Sequence, residues 1–268
     1  MKYIHCSSYF ILAFFLIFIG NGVLSIEAIA EEKTEKAKKT SCKQINILLY
    51  NEYPPLYWKS GNGYKGAAIK IASQFFNAMS IKINFIVLHS YFKVIKSIKS
   101  EQAHLIPISN INAPKLLSLV EPNYYSSDIG IYALNTNMLP LDQFLKDSFY
   151  KVSAINLDIN QIELTNIPAH HFNYRYGDIN TYFRRLKKGI FRYLIADKTY
   201  FGILNNHPDL KNIKLSKYSL GKMNIHYAFS NLYPCKKIRQ DFTAFLGSLV
   251  NSKEAEEIIN NAYLEYYY

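Results

Sequence analysis

Five side chains able to recognise or activate a small molecule fall within eight residues: Asn51, Glu52, Tyr53, Tyr57 and Trp58. They surround the Pro54-Pro55 pair and follow the β-prone run Ile45 to Tyr50, whose pattern predicts a buried strand. The prolines end that strand, since each fixes φ and removes a backbone donor. An aromatic and polar cluster at a strand's carboxyl end lies where ligands collect in open α/β sheets. Trp58, the only Trp, would be a second wall of such a site or a lid over the core. The chemistry on offer is stacking, hydrogen bonding and one acid or base, Glu52. Support for catalysis is thin, because no nucleophile elbow or phosphate loop occurs. Metal ligands at useful spacing are missing too: the seven His are scattered and the His170-His171 pair has no spaced partner. The expectation is a binding site that carries no metal and no cofactor.

Export is expected from the amino terminus. Lys2 precedes the apolar run Ile11 to Ile19, and Ala28-Ile29-Ala30 forms a small-x-small cleavage pattern. Residues 1–30 read as a cleaved signal peptide and the mature protein as periplasmic. The apolar core is too short and interrupted for a membrane span, although an uncleaved anchor is the alternative. Residues 31–42 (EEKTEKAKKT and the two that follow) hold almost no apolar surface, so they read as a flexible charged leader. The formal charge of +11 survives removal of the signal, since Lys2 and Glu27 cancel. Its basic residues are spread along helices and accompany no nucleic-acid motif, so no nucleic-acid partner is expected. Two cysteines, Cys42 and Cys235, remain in the mature chain, and an oxidising compartment favours a bridge.

Further on, strands and helices alternate. Ala67 to Met79 reads as a helix and Lys82 to Leu88 as a strand. Tyr91 to Ser100 carries a helical stripe (Val94, Ile95, Ile98), and Leu105 to Ile108 is a short buried strand. Ile129 to Leu134 follows as a strand, which gives a βαβαβ-like order and a mostly parallel sheet. A second α/β unit contains strands at Tyr150 to Leu157, Phe172 to Tyr176 and Tyr193 to Ala196, and a helix at Thr181 to Lys188 capped by Asp178 or Asn180. The strand Ile225 to Ser230 and helices near Lys236 to Val250 and Lys253 to Tyr263 close the chain.

A faint repeat joins the units. Tyr91-Phe92-Lys93, Ile98, Glu101 and His104 precede one strand; Tyr182-Phe183-Arg184, Leu186, Gly189 and Arg192 precede another. With the strand, aromatic loop, Gly61, Gly63 and Gly66 turn, and helix of the amino-terminal unit, this pattern resembles family 3 of the extracellular solute-binding proteins. These are periplasmic receptors best known for polar amino acids. The family carries Leu-x-x-Gly-x-x-Asp once per lobe, and here the Asp is replaced at both places, by His104 and Arg192. The resemblance covers about residues 43 to 263. It implies an α/β fold of two lobes, two mixed sheets flanked by helices and joined by two hinge strands. Residues 43–133 and 225–268 would form lobe 1, residues 137–222 lobe 2, with the ligand in the cleft between.

The resemblance also assigns roles. It implies that Tyr53 stacks on the ligand and that Tyr91, with Lys93 two residues on, points into the cleft. Ser109 and Asn110 lie where relatives bind an α-carboxylate. The Arg that grips this carboxylate is absent, and Lys115 stands in as a point charge. Asp197 matches the carboxylate that takes the α-amino group and also suits a helix cap. The late strand would return antiparallel within lobe 1, so that its end lies near the beginning of the first strand and brings Cys235 to Cys42. The expected function is closure on a small polar, possibly anionic, molecule and its delivery to an inner-membrane ABC permease. The expected protein is a monomer and not an enzyme. The alternatives are a sensor for a membrane receptor and a dehydratase-like enzyme with Glu52 as acid or base.

Overall fold

The computed structural model describes residues 42–110, 113–140, 143, 152–155 and 179–268. The signal, most of the leader, the strand expected at Phe172 to Tyr176 and the His170-His171 pair lie outside these residues, as does Asp178.

The sheet is built around β1 (Gln44–Tyr50), whose alternate residues Ile45, Ile47 and Leu49 are buried in one large apolar cluster. β4 (Lys82–Leu88) runs parallel along its whole length, from Gln44↔Lys82 to Tyr50↔Leu88. β5 (Leu105–Ser109) lies parallel on its other side, and β11 (Lys222–Ser230) runs antiparallel to β5 with Phe229 opposite Leu105. β7 (Tyr125–Leu134) is the longest strand and changes partner midway. Tyr125 to Asp128 pair with β11, while Ile129 to Ala133 pair with β9 (Tyr193–Asp197). β8 (Val152–Ala154) lies parallel to β9, and β10 (Ile213–Leu215) pairs with the far end of β7. β6 (Leu117–Leu119) pairs with β11, and β2 (Trp58–Ser60) and β3 (Gly63–Lys65) form a small hairpin where the sequence suggested only a turn.

The two expected mixed sheets meet on β7, and the nine strands they hold among the described residues run in the order β4-β1-β5-β11-β7-β9-β8, with β6 on β11 and β10 on β7. One strand, β7, serves both and changes partner between Asp128 and Ile129. The chain returns between the halves through Ser216 to Gly221, after β10 and before β11.

Helices cover the sheet with their apolar stripes. α1 (Ala67–Ala78) buries Ala68, Ile71, Ala72, Phe75 and Phe76, and Phe76 stacks on Phe242 of α5 (Lys236–Asn251) at 5.4 Å. Gly66 ends the loop before α1 with φ +122°, and a Cβ there would stand 2.4 Å from the Leu56 carbonyl oxygen. That approach lets the Leu56 and Pro55 carbonyls accept from Ala68 N–H and Ala67 N–H, so the loop after β1 is fastened to the helix start.

α2 (Tyr91–Lys99) turns back toward β5 through Glu101, and His104 ties the two strands together: its Nδ1 accepts from Asn46 N–H of β1 at 3.1 Å. This imidazole takes over part of the job that a carboxylate could do at that position. α3 (Ile179–Lys187) starts two residues earlier than expected, so Asn180 lies inside the helix rather than capping it. α4 (Phe201–Asn206) is preceded by a 3₁₀ turn, Lys198–Tyr200. α6 (Glu254–Tyr267) runs a full turn longer than its sequence pattern suggested. Its extra turn packs Tyr266 on Trp58 at 5.0 Å, and a Cβ on Gly202 of α4 would lie 2.7 Å from the Tyr263 hydroxyl. Cys42 and Cys235 are disulfide-bonded, as expected.

Candidate functional site

The carboxyl ends of β1 and β9 meet beside the first half of β7, and the point of contact is a carboxylate. Asp197 ends β9 and is 1% exposed. Its Oδ2 accepts from the Tyr53 hydroxyl at 2.5 Å. Its Oδ1 accepts from the Ser127 hydroxyl and from Thr199 N–H, the latter at 2.8 Å. The Thr199 bond makes Asp197 the cap of the Lys198–Tyr200 turn, one of its expected roles. The Tyr132 hydroxyl donates to the Asp197 backbone carbonyl at 2.8 Å, which fixes the end of β9. Tyr53 reaches the carboxylate because its loop is pinned at both ends: Tyr53 and Tyr57 exchange backbone hydrogen bonds, and α1 holds the segment from behind.

All three donors to the Asp197 side chain are neutral. Burial pushes its pKa up, and the bonds from Ser127, Tyr53 and Thr199 hold it partly down by favouring the charged form. Burial together with the nearby Asp197 charge raises the Tyr53 hydroxyl well above its ordinary value, so it stays a donor. Two more hydroxyls, Tyr125 OH and Thr199 Oγ1, are buried close to Asp197: the Thr199 side chain helps to hold the Asp197 pKa down, and Thr199 and Ser127 do the same for the Tyr125 hydroxyl, which burial raises. Tyrosine rings complete the surroundings: Tyr200 lies 5.6 Å from Tyr53, and Tyr57 stands perpendicular to Tyr53 at 6.1 Å. The neighbouring Lys198 pairs with Asp128 at 3.2 Å.

The structure brings only some of the expected residues together. Tyr53 and Asp197 are in direct contact. Ser109 lies buried at the end of β5 opposite Ile225, and Asn110 accepts from Asn224 N–H at 3.2 Å, so both sit at the same end of the sheet. Tyr91 is 40% exposed and meets Tyr50 edge-on at 6.4 Å, at the β1 terminus. Glu52 is exposed on the adjoining loop and accepts from Lys59 N–H at 3.3 Å. Trp58 is buried against α6, so it is the core lid of its two expected roles.

Lys115 is misplaced. Its carbonyl accepts from the Asn231 side chain, and Leu116 receives Asn231 N–H. Asn231 follows the strand end at which Phe229 faces Leu105, the start of β5. Lys115 therefore lies at the end of the sheet opposite Asp197. The physical reason is β6: pairing Leu117 with Ser230 draws the preceding residues away.

Ser127, Thr199, Tyr125 and Tyr200 were not anticipated as site residues. Tyr125 and Ser127 stand two apart on one strand and so share a face, a signal that was available once β7 was extended backwards. A groove of ≈ 250 Å³ between α1 and α6, with Ile69, Ile258 and Ala262 in its lining, contains none of the candidate residues. Among the described residues no group of His, Cys, Asp and Glu is arranged to hold a metal ion, and no helix is long and apolar enough to cross a membrane.

No family model and no curated protein matches the sequence. Solved structures do match the fold. An amino-acid ABC transporter substrate-binding protein, AbpA from Streptococcus pneumoniae bound to L-arginine, aligns with a TM-score of 0.70 at 15% identity, covering 87% of this chain and 99% of its own. An ABC uptake transporter substrate-binding protein from the same species, with bound histidine, gives 0.66 at 16% identity over 84% of this chain and 93% of its own. A histidine kinase sensor domain with similarity to periplasmic binding proteins gives 0.65 at 15% identity over 83% and 96%. The chain has the periplasmic-binding-protein-like fold.

Proposed function

We propose that this protein is an exported solute-binding protein that closes on a small polar ligand without chemistry and presents it to an inner-membrane ABC permease. The observation that carries this reading is the contact between Tyr53 and Asp197. It joins the loop after β1 to the end of β9, across the line where β7 changes partner. A ligand bound there touches both halves of the sheet. It therefore favours their closed arrangement by its differential affinity for that state. The halves would be lobes spanning residues 43–133 with 225–268 and residues 137–222, and closure would use the strand change in β7 and the return at Ser216 to Gly221 as hinges. The matched structures support this reading: they share the fold, and two of them are ABC transporter substrate-binding proteins with bound L-arginine and histidine.

The test is native mass spectrometry of the mature protein for a co-purified solute, followed by small-angle scattering with and without it. A decrease in radius of gyration on binding supports closure. An empty protein that no solute stabilises would overturn the reading. The second reading, a sensor that presents its closed form to a membrane receptor, is favoured by the likeness to a kinase sensor domain. Uptake of the solute by cells lacking the gene separates the two: transport fails in the first case and persists in the second.

A further inference from the structure

The carboxyl-terminal helix packs on one half of the sheet and ends on the other. α6 lies along α1 and α5, both of the first half. Its last turn reaches further. Tyr266 packs on Trp58, at the start of β2, with ring centres 5.0 Å apart. Tyr267 turns to the second half: its hydroxyl donates to the Thr199 carbonyl at 3.3 Å. A Cβ on Gly202 of α4 would stand 2.7 Å from the Tyr263 hydroxyl and 3.2 Å from the Tyr267 ring. The two helices can lie this close because residue 202 is glycine. Thr199 is also the residue whose N–H donates to Asp197, so Tyr267 grips the turn that Asp197 caps.

The end of α6 is a packed block. Tyr267 is 4% exposed, and its ring lies 4.4 Å from that of Tyr263 and 4.8 Å from that of Tyr266. Burial raises the Tyr267 hydroxyl above its ordinary value, with smaller contributions from Tyr266, Tyr263, Asp197 and Tyr125, so it stays a donor. Parting the halves here would break its bond and return a buried aromatic face to water.

We propose that Tyr263 and Tyr267 are positioning residues for the site: seated on Gly202 and Thr199, they clasp the second half to the first and favour the arrangement in which Tyr53 meets Asp197. This rests on the solute-binding reading, in which the halves close on a ligand, and adds the element that sets how readily they close. A ligand that needs the closed form gains affinity in proportion to the closed fraction.

The experiment measures the distance between the halves on the mature, disulfide-bonded protein with no solute added. Spin labels are attached through Asn77→Cys on α1 and Arg184→Cys on α3, both exposed positions, and pulsed electron resonance reads the distance distribution. Tyr267→Phe should lower the ratio of closed to open molecules about fivefold, as loss of one ordinary hydrogen bond does. Tyr267→Ala should lower it further. Gly202→Leu should make the open form dominant, since its side chain has no room beside Tyr263 and Tyr267. Circular dichroism should show an intact fold in each. Distances unchanged in both Tyr267→Ala and Gly202→Leu overturn the clasp; if Gly202→Leu fails to fold, Tyr267→Ala decides alone. That result leaves the solute-binding reading standing, because co-purification of a solute does not depend on these tyrosines.

Discussion

Replacing Tyr53 by Phe removes one oxygen from the centre of the site and little else. The ring keeps its packing against Tyr57 and Tyr200, at 6.1 and 5.6 Å, so no sizeable cavity forms. What is lost is a hydrogen bond to a buried carboxylate, worth about 1.5–3 kcal/mol. For a domain of this size that corresponds to a fall in Tm of roughly 3–12 °C. The loss should depend on pH, and its sign follows from Asp197. Burial raises the folded pKa of Asp197 above its ordinary value. The group therefore favours the fold most fully below the unfolded pKa, near 3.8 for the free carboxyl, and that contribution is lost as pH rises through the folded pKa. The Tyr53 bond favours the charged form, so removing it raises the folded pKa further and extends the loss. The deficit of Tyr53→Phe should then be larger at pH 8 than at pH 5, because raising the pH favours the charged form that the bond stabilises. Urea denaturation of both proteins at the two pH values measures this directly. A deficit below about 0.5 kcal/mol at pH 8, less than one ordinary hydrogen bond, or one of equal size at both pH values, refutes the reasoning.

Four other outcomes are expected. Lys115→Ala should leave binding of any solute unchanged within twofold by calorimetry, since the residue lies at the far end of the sheet; a tenfold loss would contradict that placement. Reduction of the disulfide should lower stability by up to roughly 5 kcal/mol, because the loop it closes is long, and melting with and without reductant reports it. Gly66→Ala should destabilise severely or prevent folding, since the added Cβ meets Leu56 backbone at 2.4 Å; a circular-dichroism melt within 2 °C of wild type, less than about 1 kcal/mol, would refute this. Burial lowers the His104 pKa, so the imidazole is held neutral in the fold. Its contribution is complete above the unfolded pKa near 6.5 and falls away as pH drops through the lower folded value. His104→Phe should flatten that part of the stability profile, and an unchanged slope would rule His104 out as its source.

Much of the frame is visible in the amino-acid order because local chemistry agrees with the fold. Lys82 to Leu88 alternates and is a strand over those residues; Ala67 onward is amphipathic and buries the side chains that its period selects. The elements that escaped are those held by partners rather than by pattern. β6 and β10 are three residues each and exist because β11 and β7 offer open backbone groups. The last turn of α6 carries Glu265-Tyr266-Tyr267, whose apolar face has no period to extend; Trp58 and Gly202 hold it in place.

The site divides along the same line. Asp197 and Tyr53 could be named because the family resemblance points to them; Asp197 ends the apolar strand β9 and Tyr53 follows β1. Lys115 could not be placed, since its position depends on where the chain goes after Ser109, and that is decided by β6 pairing with Ser230. The error has a consequence for the ligand. With Lys115 in the cleft, the site would hold one cation for an anionic group and one anion for a cationic group. With Lys115 removed, the described residues place together Asp197 and its neutral donors Tyr53, Ser127 and Thr199. Hydrogen bonds from hydroxyl and amide groups can orient a buried carboxylate, but none of them cancels its charge. Tyr53 and Ser127 approach Asp197 from one side of the β7 strand change and Thr199 from the other, so this carboxylate joins the two halves of the sheet.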